Sequence, residues 1–69
     1  MNLTPVAYLT RIRILKGQYY LLNTNQSVAQ IGTRCGFGSI SYFSYVFQKQ
    51  TGLSPTAFRN QYLLEHHLS

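Results

Sequence analysis

Four polar side chains recur on one face of a helix predicted over residues 39–50: Ser41, Ser44, Tyr45 and Gln48. Their hydroxyl and amide groups can donate and accept hydrogen bonds, and the face carries no acid. A helix that presents such groups fits the major groove of double-stranded DNA, where base edges offer complementary donors and acceptors. The sequence therefore predicts a hydrogen-bonding surface rather than a reactive one.

The reactive residue types are too few and too scattered for catalysis. Glu65 is the only acid in the sequence, so paired-carboxylate chemistry cannot arise within one chain. His66 and His67 are adjacent, and neighbouring side chains on a helix diverge by about 100°, which hinders sharing of a metal ion. Cys35 lies among core positions and is expected to be a small buried hydrophobic residue. We expect no enzyme, no catalytic residue, no cofactor and no metal.

Length and charge narrow the class of protein further. The 69 residues suffice for a single domain, 1–69, with a small core. Six lysines and arginines against one acid give a formal net charge of +5, which favours solubility or attraction to a polyanion such as nucleic acid. We see one cysteine, no signal peptide and no apolar run of about 18 residues. The expected location is the cytoplasm, without membrane contact.

A long first helix is predicted within residues 1–23. Thr4 can cap its free amides, and Pro5 is preorganised for the first helical position. Gly17, in the middle of this helix, predicts the close approach of another helix. Apolar residues at alternating steps of four and three predict its buried stripe, which comprises Tyr8, Ile12, Leu15, Tyr19 and Leu22.

A helix-turn-helix is predicted over residues 27–50. Gly36 ends the first of its helices, Phe37 inserts the turn into the core, and Ser39 caps the second. The first helix, capped by Ser27, has a buried stripe of Val28, Ile31, Gly32 and Cys35. The inner face of the second is mostly apolar and comprises Phe43, Val46, Phe47 and Gln50.

A C-terminal helix is predicted over residues 54–64. Thr51-Gly52 stops the preceding helix, and Ser54-Pro55 begins the last one, as a capping hydroxyl followed by a first-turn proline. Its expected apolar contacts are Ala57, Phe58 and Tyr62.

The chain also contains a short internal repeat. Gly52–Arg59 mirrors Asn2–Leu9 at an offset of 50 residues, each with a leucine, a capping hydroxyl, a proline, two spacers and an aromatic residue. The repeat predicts that the structural unit ending at Arg59 had a predecessor ending near Tyr8.

Together these motifs resemble the C-terminal DNA-binding region of the AraC/XylS family of bacterial transcription regulators, without gaps over residues 2–60. That region contains two helix-turn-helix units joined by a long helix, and this chain is similar to the joining helix (1–23) and the second unit. The resemblance implies an all-α, homeodomain-like fold of about four helices with one helix-turn-helix. It is carried by Tyr8, Arg13, Val28-Ala29, Ile31, Gly36-Phe37, Tyr42-Phe43-Ser44, Phe47, Gly52, Ser54-Pro55 and Phe58-Arg59.

The resemblance also implies which residues contact double-stranded DNA. Base contacts would come from the start of the second helix, at Ser39, Ile40, Ser41, Ser44 and Tyr45. Phosphate contacts would come from Ser27, Arg34, Gln48 and Lys49. Two departures lower the expected affinity. The first helix-turn-helix is not part of this sequence, and positions 45 and 48 lack the basic residues common in the family.

Two other interpretations stay open. A half-domain exposes apolar surface where its missing unit would pack, which favours self-association or binding to another regulator; the expected residues are Tyr8, Leu9, Ile12 and Tyr20. Residues 5–22 could also act as a cationic amphipathic segment at a membrane. The membrane interpretation is the weaker one, because the charged face holds only Arg11, Arg13 and Lys16.

Overall fold

The computed structural model describes residues 5–67, with side chains described as far as Tyr62. Within that range the protein is all-α, as predicted, and no strand occurs among the described residues. The four helices are α1 (Pro5–Asn23), α2 (Val28–Arg34), α3 (Ile40–Thr51) and α4 (Pro55–His67). Thr4, predicted to cap α1, lies outside the described residues, whereas α1 does begin at Pro5.

Serine caps define the starts of the two central helices. The Ser27 hydroxyl accepts a hydrogen bond from the Gln30 amide, and the Gln30 side chain accepts one from the Ser27 amide, which completes a capping box. The Ser39 hydroxyl accepts a hydrogen bond from the Tyr42 amide. Both caps were predicted, because they depend only on residues three positions apart.

The turn between α2 and α3 reverses the chain through a left-handed glycine. Gly36 has φ of +94°, a conformation that glycine adopts without steric cost. Its amide donates to the Thr33 carbonyl, and the Phe37 amide donates to the Gly32 carbonyl, so these two carbonyls in the last turn of α2 are satisfied. The Phe37 ring is buried, as predicted. The buried Phe37 ring therefore anchors the turn to the core, and the turn determines how α3 is oriented relative to α2.

Phe43 is the centre of the core. Its side chain is fully buried, and its ring packs 5.0 Å from Phe37 and 5.6 Å from Phe47, measured between ring centroids. A Cβ atom placed on Gly17 would lie 3.1 Å from this ring, and one placed on Gly32 would lie 3.2 Å from it. The two glycines therefore allow α1 and α2 to approach α3 closely, as predicted for Gly17. The buried hydrophobic residues are Ile14, Leu21, Ile31, Cys35, Phe37, Phe43, Val46 and Phe47.

The buried face of α1 was predicted wrongly. The residues that α1 buries are Ile14, Gly17 and Leu21, on the side opposite the predicted stripe. We call the predicted set the outer stripe: Tyr8, Ile12, Leu15, Tyr19 and Leu22. Its tyrosines and Leu15 are more than half exposed, and Ile12 and Leu22 are half-buried. Apolar residues lie on both sides of α1, so periodicity alone cannot choose between them, and a glycine on the buried side carries no apolar signal.

The other helical faces match their predictions more closely. Ile31, Gly32 and Cys35 of α2 are buried and Val28 is half-buried against the core. The exception is Gln50, which was predicted on the inner face of α3 but is exposed, since its polar amide loses nothing by staying in water.

Phe58 and Arg59 join α4 to the core and to the end of α1. The Phe58 ring packs 5.3 Å from Phe47. Arg59 donates hydrogen bonds to the Leu21 carbonyl at 3.0 Å and to the Thr24 carbonyl at 3.1 Å. These carbonyls lie at and just beyond the C-terminal turn of α1, where backbone acceptors lack helical partners. Arg59 therefore works as a cap supplied by a distant part of the sequence.

Replacing Arg59 with methionine is expected to lower the free energy of unfolding by about 1–2 kcal/mol, because two part-buried carbonyls lose a charged donor. Thermal unfolding followed by circular dichroism measures the change. Arg11→Met is the matched control, since Arg11 is exposed on α1. Equal losses in the two variants would contradict the capping role.

Candidate nucleic-acid interface

The inner side of α3 fixes which of its residues face outward. Phe43, Val46 and Phe47 are buried, so the helix cannot rotate without exposing large apolar side chains. The side opposite this core is formed by Ser41, Tyr45 and Gln48, and all three residues are exposed. Tyr45 is 59% exposed, which leaves its hydroxyl accessible to a partner. We call these three residues together with Lys49 the outer face of α3.

The five proposed base-contact residues are not equally accessible to a binding partner. Ser39, Ile40 and Ser41 are exposed at the start of α3, and Tyr45 follows one turn after Ser41 on the same side as Ser41. The Ser39 hydroxyl oxygen accepts the Tyr42 amide as a cap, and its own proton can still be donated. Ser44 is half-buried at the edge of the outer face, so its access to a partner is smaller than expected.

The proposed phosphate-contact residues fall into two separate groups. Gln48 and Lys49 are exposed on α3, and the Lys49 ammonium lies 5.7 Å from the centroid of the Tyr45 ring. This cation–π contact holds the charge beside the outer face. Arg34 and Ser27 are exposed at opposite ends of α2. Because they are seven positions apart, they lie about 10 Å from each other along the helix.

Arg34 is turned toward α1 rather than toward α3. Its guanidinium carbon lies 5.3 Å from the centroid of the Tyr20 ring, a cation–π contact that restrains this otherwise exposed side chain. A shallow depression next to it on α2 is lined by Gln26, Ala29, Gln30, Thr33 and Arg34. A phosphate group could be held there by amide, hydroxyl and guanidinium donors.

Tyr42 and Arg13 lie near the predicted interface but were not among the residues predicted to contact DNA. Tyr42 is 53% exposed, and its ring lies 5.8 Å from the buried Phe37 ring, which gives it a fixed position one turn before Tyr45. Arg13 lies against the turn, because a Cβ on Gly36 would come within 3.2 Å of its Nε atom. Tyr42 could have been identified from the sequence, because it lies three residues before Tyr45 in the same helix. No local signal could place Arg13, since the contact joins two distant segments.

The electrostatics of the described part of the chain are uniformly positive. Its basic residues are Arg11, Arg13, Lys16, Arg34, Lys49 and Arg59, and the one acid of the sequence, Glu65, lies beyond the described side chains.

Burial raises the pKa of the Cys35 thiol, and the nearby charges of Lys16 and Arg34 oppose the shift. A buried thiol with a raised pKa is protonated and unreactive at neutral pH.

The site can therefore offer hydrogen bonds and positive charge. No group of three or more histidine, cysteine or acidic residues that could hold a metal ion occurs in the described part. No helix there is both long enough and apolar enough to cross a membrane.

These features define the class of protein. A capped short helix, a left-handed glycine turn and a second helix with an exposed polar face form a helix-turn-helix. A family model described as a helix-turn-helix domain matches residues 1–61. The chain belongs to this AraC-type helix-turn-helix family of DNA-binding transcription regulators.

Several bacterial relatives are similar to the chain. The HTH-type transcriptional activator RhaS of Enterobacter sp. (strain 638) is 42% identical over 58 residues, which cover 84% of this chain and 21% of the relative. RhaR of Mannheimia succiniciproducens is 39% identical over 62 residues, covering 90% and 22%. RhaR of Cronobacter sakazakii is 38% identical over 61 residues, covering 88% and 22%. The chain thus spans about a fifth of the length of these relatives. No solved structure matches it.

Proposed function

We propose that the chain binds double-stranded DNA with sequence preference and thereby regulates transcription in the bacterial cytoplasm. α3 lies in the major groove, where Ser41 and Tyr45 contact base edges and Ser39 and Ile40 lie at the entering end. The observation that carries the proposal is the outer face of α3. It is polar, exposed, free of carboxylates and fixed in direction by a buried aromatic core.

Phosphate contacts come from both central helices. Lys49, held against Tyr45, contacts one strand beside α3, with Gln48 next to it. Arg34 and the Ser27 hydroxyl, at the two ends of α2, contact phosphates outside the groove. The naming of the relatives as transcriptional activators supports the regulatory part of this proposal.

Binding is expected to be weak and strongly dependent on salt. If about three phosphates are neutralised, a rise from 50 to 200 mM salt lowers the affinity roughly 40-fold, because each neutralised phosphate releases a counterion. The measurement is fluorescence anisotropy with a duplex first selected from a random library. An affinity that stays constant across this range would contradict the electrostatic contacts.

Two classes of variant test the docking of α3. Ser41→Ala with Tyr45→Ala should reduce the ratio of affinities for the selected and a scrambled duplex. Lys49→Gln or Arg34→Gln should weaken both duplexes by the same factor. Arg11→Gln, at an exposed residue of α1, is the matched control for loss of one charge. If both classes changed the ratio equally, α3 would not be the helix that reads the bases.

A further inference from the structure

The first two turns of α3 lack the side chains that usually recognise guanine, adenine or cytosine. Guanine is contacted by arginine or lysine, adenine by asparagine or glutamine, and cytosine by aspartate or glutamate. None of these six residue types occurs in residues 39–45, which are Ser39-Ile40-Ser41-Tyr42-Phe43-Ser44-Tyr45. The polar groups here are hydroxyls, which fit either a donor or an acceptor on a base edge. Hydrogen bonds from this segment therefore distinguish base pairs less sharply than the paired contacts of those six types.

Two of the three serines in this segment are also restricted. The Ser39 hydroxyl oxygen accepts a hydrogen bond from the Tyr42 amide at 3.1 Å. Ser44 is half-buried, whereas Ser41 is exposed. Ser41 is therefore the serine with the most accessible hydroxyl group, and a further source of sequence preference must come from a group that is not polar.

Ile40 presents apolar surface at the start of the same helix. Its side chain is 48% exposed, although Phe43, three residues later, is fully buried. It precedes Ser41 and lies on the same side of α3 as Ser44, four residues later. A single exposed apolar residue is ordinary on a protein surface. This one, however, lies in the part of a helix-turn-helix whose side chains contact base edges.

We propose that Ile40 contacts the 5-methyl group of a thymine, so that α3 prefers thymine at that position of its site. The proposal rests on the proposed function, because it requires α3 to lie in the major groove. The thymine methyl is the apolar group among the features that base pairs present in this groove, and apolar side chains contact it. The contact removes apolar surface of both partners from water.

The same contact predicts that 5-methylcytosine can replace thymine at this position. Both bases carry a methyl group on ring atom C5, and they differ at C4, where thymine has a carbonyl oxygen and cytosine an amino group. Ile40 has no polar side-chain group that could distinguish the two substituents at C4. Cytosine without the methyl group lacks the apolar contact.

Duplexes that lack single methyl groups provide the probes. A duplex is first selected from a random library with the 69-residue chain, and each of its thymines is then replaced in turn by deoxyuridine, which removes only the methyl group. For at least one thymine, the affinity measured by fluorescence anisotropy should fall about fourfold, the effect of burying one carbon group. A cytosine there should also weaken binding, and 5-methylcytosine should bind about fourfold more tightly than cytosine.

The variant Ile40→Ala tests whether this side chain makes the contact. Deoxyuridine and thymine should then bind equally at that position, and so should cytosine and 5-methylcytosine. The variant should fold, because Ile40 is partly exposed and alanine favours helices. Val6→Ala, which shortens an exposed apolar side chain of α1, is the matched control and should keep the fourfold difference. Circular dichroism checks that both variants are folded.

Two results would overturn this proposal and leave the proposed function standing. The first is a selected duplex that binds more tightly than a scrambled one but loses no affinity with deoxyuridine at any position. The second is a methyl effect of unchanged size in Ile40→Ala, which would assign the contact to another residue. If the selected and scrambled duplexes bound equally, the proposed function itself would fail, and the role of Ile40 would fail with it.

Discussion

Replacement of Phe43 by alanine is expected to unfold the protein at 25 °C. Phe43 is fully buried between the Phe37 and Phe47 rings and against the glycine faces of α1 and α2. Removing a buried phenylalanine side chain costs about 3–5 kcal/mol. A single hydrophobic core in a domain of this size supplies only about the same amount. The variant should therefore lose most of its helical circular dichroism signal.

Tyr45→Ala is the control for this variant, since it removes an aromatic ring of similar size from the exposed side of the same helix. We expect it to change the free energy of unfolding by less than about 1 kcal/mol. A partly destabilising replacement, Phe43→Leu, should keep the fold and show a lowered midpoint in urea. If Phe43→Ala and Tyr45→Ala were equally stable, Phe43 would not be the centre of the core.

Replacement of Gly32 by valine is the second change with a large expected effect. A Cβ at this position would already lie 3.2 Å from three atoms of Phe43, so the larger side chain must displace a fully buried ring. Overpacking of this kind costs about 1–3 kcal/mol. Urea unfolding should show a lowered midpoint, together with weaker DNA binding because α2 and α3 are forced apart.

Gly38→Val is the matched control, because nothing lies within 4 Å of a Cβ at this exposed turn position. The double variant Gly32→Ala, Phe43→Leu adds a sharper test. If the two side chains compete for the same space, the combined loss of stability should be smaller than the sum of the single losses. If the losses of stability were additive, the strain in the Gly32 variant would not arise from its contact with Phe43.

Local chemistry made the starts and ends of the helices predictable. Ser27 and Ser39 cap the central helices through contacts with residues three positions away. Gly36 and Gly52 end helices in the left-handed conformation, with φ of +94° and +88°. Each of these features is decided within a few residues of sequence, so the pattern could be interpreted without knowledge of the fold.

The faces of α3 and α1 show where sequence patterns suffice and where they fail. In α3 the apolar residues Phe43, Val46 and Phe47 lie on one side, so the outward side could be predicted directly from the sequence. In α1 apolar residues occur on two sides, and the longer apolar row turned out to be the outer stripe. The buried side instead contains Gly17, whose role is to leave room for the Phe43 ring.

The sequence by itself determined four things: an all-helical chain, the caps and the turn of its two central helices, the side of α3 that faces outward, and the family. Each of these depends on residues close together in the chain or on a motif. The tertiary structure alone decided which side of α1 is buried, that Arg59 caps α1 across 38 residues, and that Arg34 lies on Tyr20. Such contacts join distant segments, and their energies depend on the shape of the space between helices, which composition and periodicity do not specify.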